Sequence, residues 1–111
     1  MHPLELHLQE LEQAVCNWLE ANQYNNALPD VQRAMRKKAL LPAVMDAEMP
    51  EAYRLWRLCQ DSSSLWWDGG ISNQPHILTL EFSVCAYSHR QTQEYLANTQ
   101  RILNDGSQHK S

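Results

Sequence analysis

The sequence lacks the marks of a disulfide framework, a secretion leader and a membrane span. Its three cysteines, Cys16, Cys59 and Cys85, are widely spaced, odd in number and set in apolar patterns, which reads as reduced core thiols. The opening residues, MHPLELHLQELE, have neither the basic start nor the unbroken apolar core of a signal peptide, and no run approaches the roughly 18 apolar residues of a membrane span. A cytoplasmic location without a membrane partner is therefore expected.

Motifs that state an activity are missing as well. Glycine occurs only three times in 111 residues, and the adjacent pair in Asp68-Gly69-Gly70 has no following Lys-Ser/Thr, so it reads as a turn and not as a phosphate loop. The five histidines, at positions 2, 7, 76, 89 and 109, occur singly, and no pair has zinc-ligand spacing with the cysteines. Cys85 and His89 suggest a thiolate–imidazole pair, but they straddle an expected strand end and helix start, where nothing orients them. These gaps lead to the expectation of a non-catalytic protein with no cofactor and no metal.

What is present is an ordinary globular composition, 43% hydrophobic and 20% charged, in a chain long enough to bury a core without a staple. No internal repeat, low-complexity tract or dividing linker is found, so a single domain over 1–106 with a disordered tail at 107–111 is expected. The net charge of −4 argues against a surface that wraps nucleic acid throughout. Its distribution is uneven. Residues 1–28 carry Glu5, Glu10, Glu12 and Glu20 without a Lys or Arg, whereas 30–41 carry Arg33, Arg36, Lys37 and Lys38 against Asp30 alone.

Hydrophobic periodicity predicts a helix over 4–22, because Leu4, Leu8, Leu11, Val15, Trp18 and Leu19 share one face at 3.6 residues per turn. Asn22, Asn25 and Asn26 mark a loop. A second helix is predicted from Pro29 and Asp30, with Pro42 as its stop, Val31, Ala34 and Met35 on one face and Arg33, Arg36 and Lys37 on the other. Pro50 opens a third, in which Ala52, Tyr53, Leu55, Trp56, Leu58 and Cys59 cover most of the circumference and Arg54 and Arg57 the remainder.

The stretch from Ser62 to Tyr87 then reads as a β-hairpin. Leu65, Trp66 and Trp67 form a short strand candidate, Asp68-Gly69-Gly70 the reversal, and Ile77–Tyr87 the better strand, with Leu78, Leu80, Phe82, Val84 and Ala86 on one side. Ser88 with Gln91 resembles a capping box opening a last helix, whose face holds Thr92, Tyr95, Leu96, Thr99, Ile102 and Leu103, with Gly106 as its stop. The expected fold class is thus α+β: three N-terminal helices, a two-stranded antiparallel hairpin and a C-terminal helix.

Adjacent tryptophans in a strand point to opposite faces, so only one of Trp66 and Trp67 enters a single core. With Ile77 and Tyr87 nearby, they define the expected partner surface, since tryptophan is enriched at interaction hot spots. The function expected is a protein-binding module, such as an adaptor, assembly factor, chaperone or inhibitor, whose partner is another protein or a second copy of the chain. The alternative is a nucleic-acid-binding regulator that contacts phosphates through Arg33, Arg36 and Lys37.

Overall fold

The computed structural model describes residues 2–62 and 76–108. Regular structure among them consists of four helices: α1 (Pro3–Asn25), α2 (Pro29–Lys37), α3 (Glu51–Ser62) and α4 (His76–Gln108). The described residues contain no strand. The α+β expectation is therefore wrong and the described fold is all-α. Residues 77–87, expected to form the principal strand, are the first three turns of α4. The other proposed strand, Leu65–Trp67, and the turn at Asp68-Gly69-Gly70 lie outside the described residues.

Packing explains why an alternating segment becomes helical. Leu78, Phe82, Cys85 and His89 are spaced i, i+4, i+7 and i+11, which places them on one helical face, and Cys85 in that row is fully buried. Two hydroxyl residues in α4 bond back within the helix: Ser83 Oγ donates to the Thr79 carbonyl and Thr99 Oγ1 to that of Tyr95, both at 3.1 Å. Such back-bonding gives the hydroxyl a partner inside the helix, at a slight cost to helix stability. The capping box expected at Ser88 is absent for the same reason. Ser88 lies in mid-helix and is fully buried, and α4 also runs through Gly106, the expected stop.

The other helices begin where the sequence places them. Pro3 occupies the first turn of α1, and the His2 Nδ1 accepts from the Leu4 amide at 3.0 Å, which caps the helix. Pro29 opens α2 in the same way. The end of α2 comes before Pro42, through a turn at Ala39, whose φ of 56° is left-handed. The Ala39 amide bonds to the Arg36 carbonyl and that of Leu40 to Met35, the paired arrangement of a Schellman stop. An alanine there carries a cost of roughly 1–2 kcal/mol that glycine would avoid.

The helices α1 and α4 form the main interface and run parallel. His7, Cys16 and Gln23 along α1 meet Glu81, Thr92 and Leu96 along α4. A parallel pair needs a long return connection, and the segment carrying α2 and α3 provides it. The core consists of Leu11, Val15 and Leu19 from α1, Ala52 and Tyr53 from α3 and Cys85 from α4, with Trp18, Met49, Trp56, Val84 and Leu96 packed around it. Each large apolar side chain buried this way contributes about 1.5–3 kcal/mol.

On α4 the fully covered positions are small: Cys85, Ser88, Thr92 and Thr99. At its far end α2 packs on both long helices. Arg36 donates to the Tyr24 hydroxyl at 2.7 Å, and Lys38 Nζ to the Ile102 carbonyl at 3.1 Å. The molecule measures 57 × 34 × 19 Å, and its long axis matches α4, whose 33 residues extend about 50 Å.

Candidate functional site

The helix α4 carries a buried face of small side chains and a second, mainly apolar face. One is the buried face through Cys85, Ser88, Thr92 and Thr99. The other comprises Ile77, Leu80, Val84, Tyr87, Gln91, Tyr95, Asn98 and Ile102. At about 100° per residue these fall within an arc of roughly 80°, centred about 90° round the helix from the buried face. Leu80 and Val84 are half-buried, but Ile77, Tyr87, Tyr95 and Ile102 are 53%, 50%, 44% and 46% exposed. Single exposed apolar residues are ordinary. A row of them along one side of α4 is a candidate contact surface.

Among the described residues, Val84 of this row packs against the core and Lys38 reaches the Ile102 carbonyl, while the side chains of Ile77, Tyr87, Tyr95 and Ile102 stay about half exposed. The contacts of α3 with α4 include Tyr53 and Trp56 against His89, roughly 160° round the helix from the stripe. Those of α1 include His7 on Glu81 at 2.7 Å and Cys16 accepting from Thr92 Oγ1 at 3.1 Å, roughly 90° from it. Arg90, Glu94 and Arg101, all exposed, border the stripe on the side away from the core.

Opposite the stripe, α3 and α4 close around an aromatic cluster. Tyr53 is fully buried, with the Trp18 and Trp56 rings at 5.7 and 5.6 Å and the Arg57 guanidinium 5.9 Å from its ring centre. Its hydroxyl shares a 2.8 Å hydrogen bond with His89 Nδ1. Burial, aided by the Arg57 charge, holds His89 below the ordinary histidine value, and burial pushes the Tyr53 hydroxyl up. Both shifts favour the neutral forms, so the bond forms without a buried charge.

Burial, reinforced by the Glu81 carboxylate, pushes the Cys85 thiol up to about 12. The Cys85 and His89 pair considered as nucleophile and base is thus a protonated thiol beside an imidazole already bonded to Tyr53. No cluster of three or more His, Cys, Asp or Glu side chains among the described residues is placed to hold a metal ion. No described helix is long and apolar enough to cross a membrane.

Of the partner-surface residues expected from the sequence, Ile77 and Tyr87 both lie on the outer stripe of α4, while Trp66 and Trp67 are outside the described residues. Sequence reasoning missed Tyr95 and Ile102, which it assigned to a core face with Thr92 and Thr99. The signal that finds them is the spacing 77, 80, 84, 87, 91, 95, 98, 102, which is helical throughout. On α2, Arg33, Arg36 and Lys37 are exposed together, but Arg33 donates to Asp30 at 3.3 Å and Arg36 to Tyr24. Two of the three basic groups therefore already have partners within the chain.

Fold and surface together define a small protein whose described residues are all-α, with a half-exposed, mainly apolar stripe along α4. No family model, curated protein or solved structure matches the chain.

Proposed function

We propose that the chain is a non-catalytic protein-binding module, of the adaptor, assembly-factor, chaperone or inhibitor kind, and that its contact surface is the outer stripe of α4. The observation that carries this reading is the exposure of Ile77, Tyr87, Tyr95 and Ile102 on one side of α4. Tyrosine supplies large contact area with little rotamer entropy to lose, and it is enriched in the energetic centres of interfaces. The stripe runs along several turns of one helix, an arrangement suited to another helix laid along it.

Because both tyrosines are half-exposed, the Tyr87→Glu, Tyr95→Glu double variant should keep its helical circular-dichroism spectrum and lose only about 0.5 kcal/mol per site. Its capture of partner protein in affinity purification should fall at least about tenfold, since central aromatic contacts contribute about 2 kcal/mol or more each. A folded double variant that captures the same proteins at the same level would sink the reading.

A further inference from the structure

We infer that the occupant of the α4 stripe is the same stripe of a second copy, laid antiparallel about Gln91. This inference rests on the stripe being a protein-binding face and adds the identity and direction of the partner. Its basis is the self-complementarity of the stripe. When two copies of α4 cross antiparallel with Gln91 opposite Gln91, Tyr87 faces Tyr95 of the second copy, Leu80 faces Ile102 and Val84 faces Asn98. Each exposed tyrosine thereby meets the other, half-buried Leu80 meets exposed Ile102, and Val84 meets the amide of Asn98.

The residue at the two-fold position is an amide, which both donates and accepts and so can bond to its own copy. Polar residues are few in this seam, Gln91 and Asn98 alone, and a buried polar position in a helix seam is a feature that fixes register and direction.

The charges bordering the stripe select the same direction. In an antiparallel pair related by a two-fold axis, a flank of one helix meets the same flank of its copy. Arg90 then lies within two residues, about 3 Å along the axis, of Glu94 on the other chain, and Glu94 beside the other Arg90. A parallel pair would instead set this flank against the opposite flank of the copy, so Arg90 and Glu94 would not meet each other across the seam. Among the described residues α3 packs on the opposite side of α4 and α1 about a quarter turn away, and Lys38, just after α2, reaches only the backbone carbonyl of Ile102.

The test is sedimentation and light scattering of the full chain from micromolar to near-millimolar concentration. The mass should rise from that of one chain, 12.9 kDa, towards twice that value. The Arg90→Glu and Glu94→Arg single variants should each weaken the dimer roughly three- to tenfold, and the Arg90→Glu, Glu94→Arg double variant should recover most of the loss. A Gln91→Cys chain should cross-link to its copy through a short thiol-reactive linker above the background of the native cysteines. An Ile77→Cys chain should not, because the antiparallel pairing holds the two positions about 42 Å apart.

Cross-linking at both positions would overturn the antiparallel arrangement, as would charge variants that bind no more weakly than the original. A chain that stays monomeric throughout overturns the self-association. The protein-binding reading then stands if Tyr87→Glu, Tyr95→Glu still abolishes capture of a different protein, and falls with it if capture is unchanged.

Discussion

Replacing Tyr53 by alanine is expected to cost about 3–5 kcal/mol of unfolding free energy, the range for deleting a fully buried aromatic ring. A domain of this size has about 5–15 kcal/mol in total, so the variant should be barely folded at room temperature. The effect is large because Tyr53 is the point where three helices meet. Its ring touches Trp18 of α1 and Trp56 of α3, and its hydroxyl reaches His89 of α4. The Tyr53→Phe variant separates packing from hydrogen bonding. It keeps the ring and leaves His89 Nδ1 without its partner, at a cost of about 1–3 kcal/mol. Urea unfolding followed by far-ultraviolet circular dichroism measures both. A Tyr53→Ala loss under about 1 kcal/mol would mean that the core is not centred on this ring.

The second large effect tests the segment whose secondary structure differs from its sequence pattern. Ser83 is exposed in mid-α4, so Ser83→Pro removes no core contact. In a helix interior, however, it removes an amide donor and clashes with the preceding turn, costing about 3 kcal/mol or more. Ser83→Ala should have the opposite sign, a gain of a few tenths of a kcal/mol, because alanine is the best helix former. In a strand alanine would be a loss, since the residues favoured there are β-branched and aromatic. The pair of signs, read by the same urea titration, therefore distinguishes a helix at 77–87 from a strand.

The parts of the fold that are legible in the sequence are those with a single periodicity and a punctuating residue. The α1 stripe is written in Leu11, Val15 and Leu19, all buried, with Trp18 half-buried beside them. Pro29 and Pro50 mark the starts of α2 and α3. The segment 77–87 carries two periodicities at once. Leu78, Leu80, Phe82, Val84 and Ala86 alternate, while Leu78, Phe82, Cys85 and His89 repeat at helical spacing, and a short apolar run does not decide between the two.

The decision lies further along the chain, in Thr92, Leu96, Thr99 and Leu103, which continue the helical repeat without a break. Ser88 concealed that continuity, because serine before a glutamine three residues on is also a helix-start signal. The surface was legible only in part for the same reason. Ile77 and Tyr87 stand out in either geometry, but Tyr95 and Ile102 join them only when the whole of 76–108 is one helix.

The central claim is that the outer side of α4 is where this protein meets another, and hydroxyl-radical footprinting of its tyrosines tests it most directly. The chain has four tyrosines: Tyr24 and Tyr53 are 6% and 0% exposed, while Tyr87 and Tyr95 are 50% and 44% exposed. In dilute solution Tyr87 and Tyr95 should be oxidised readily and the other two hardly at all. On raising the protein concentration, or on adding a captured partner, labelling of Tyr87 and Tyr95 should fall together while Tyr24 and Tyr53 stay unchanged. Association that leaves Tyr87 and Tyr95 as reactive as before would contradict the account.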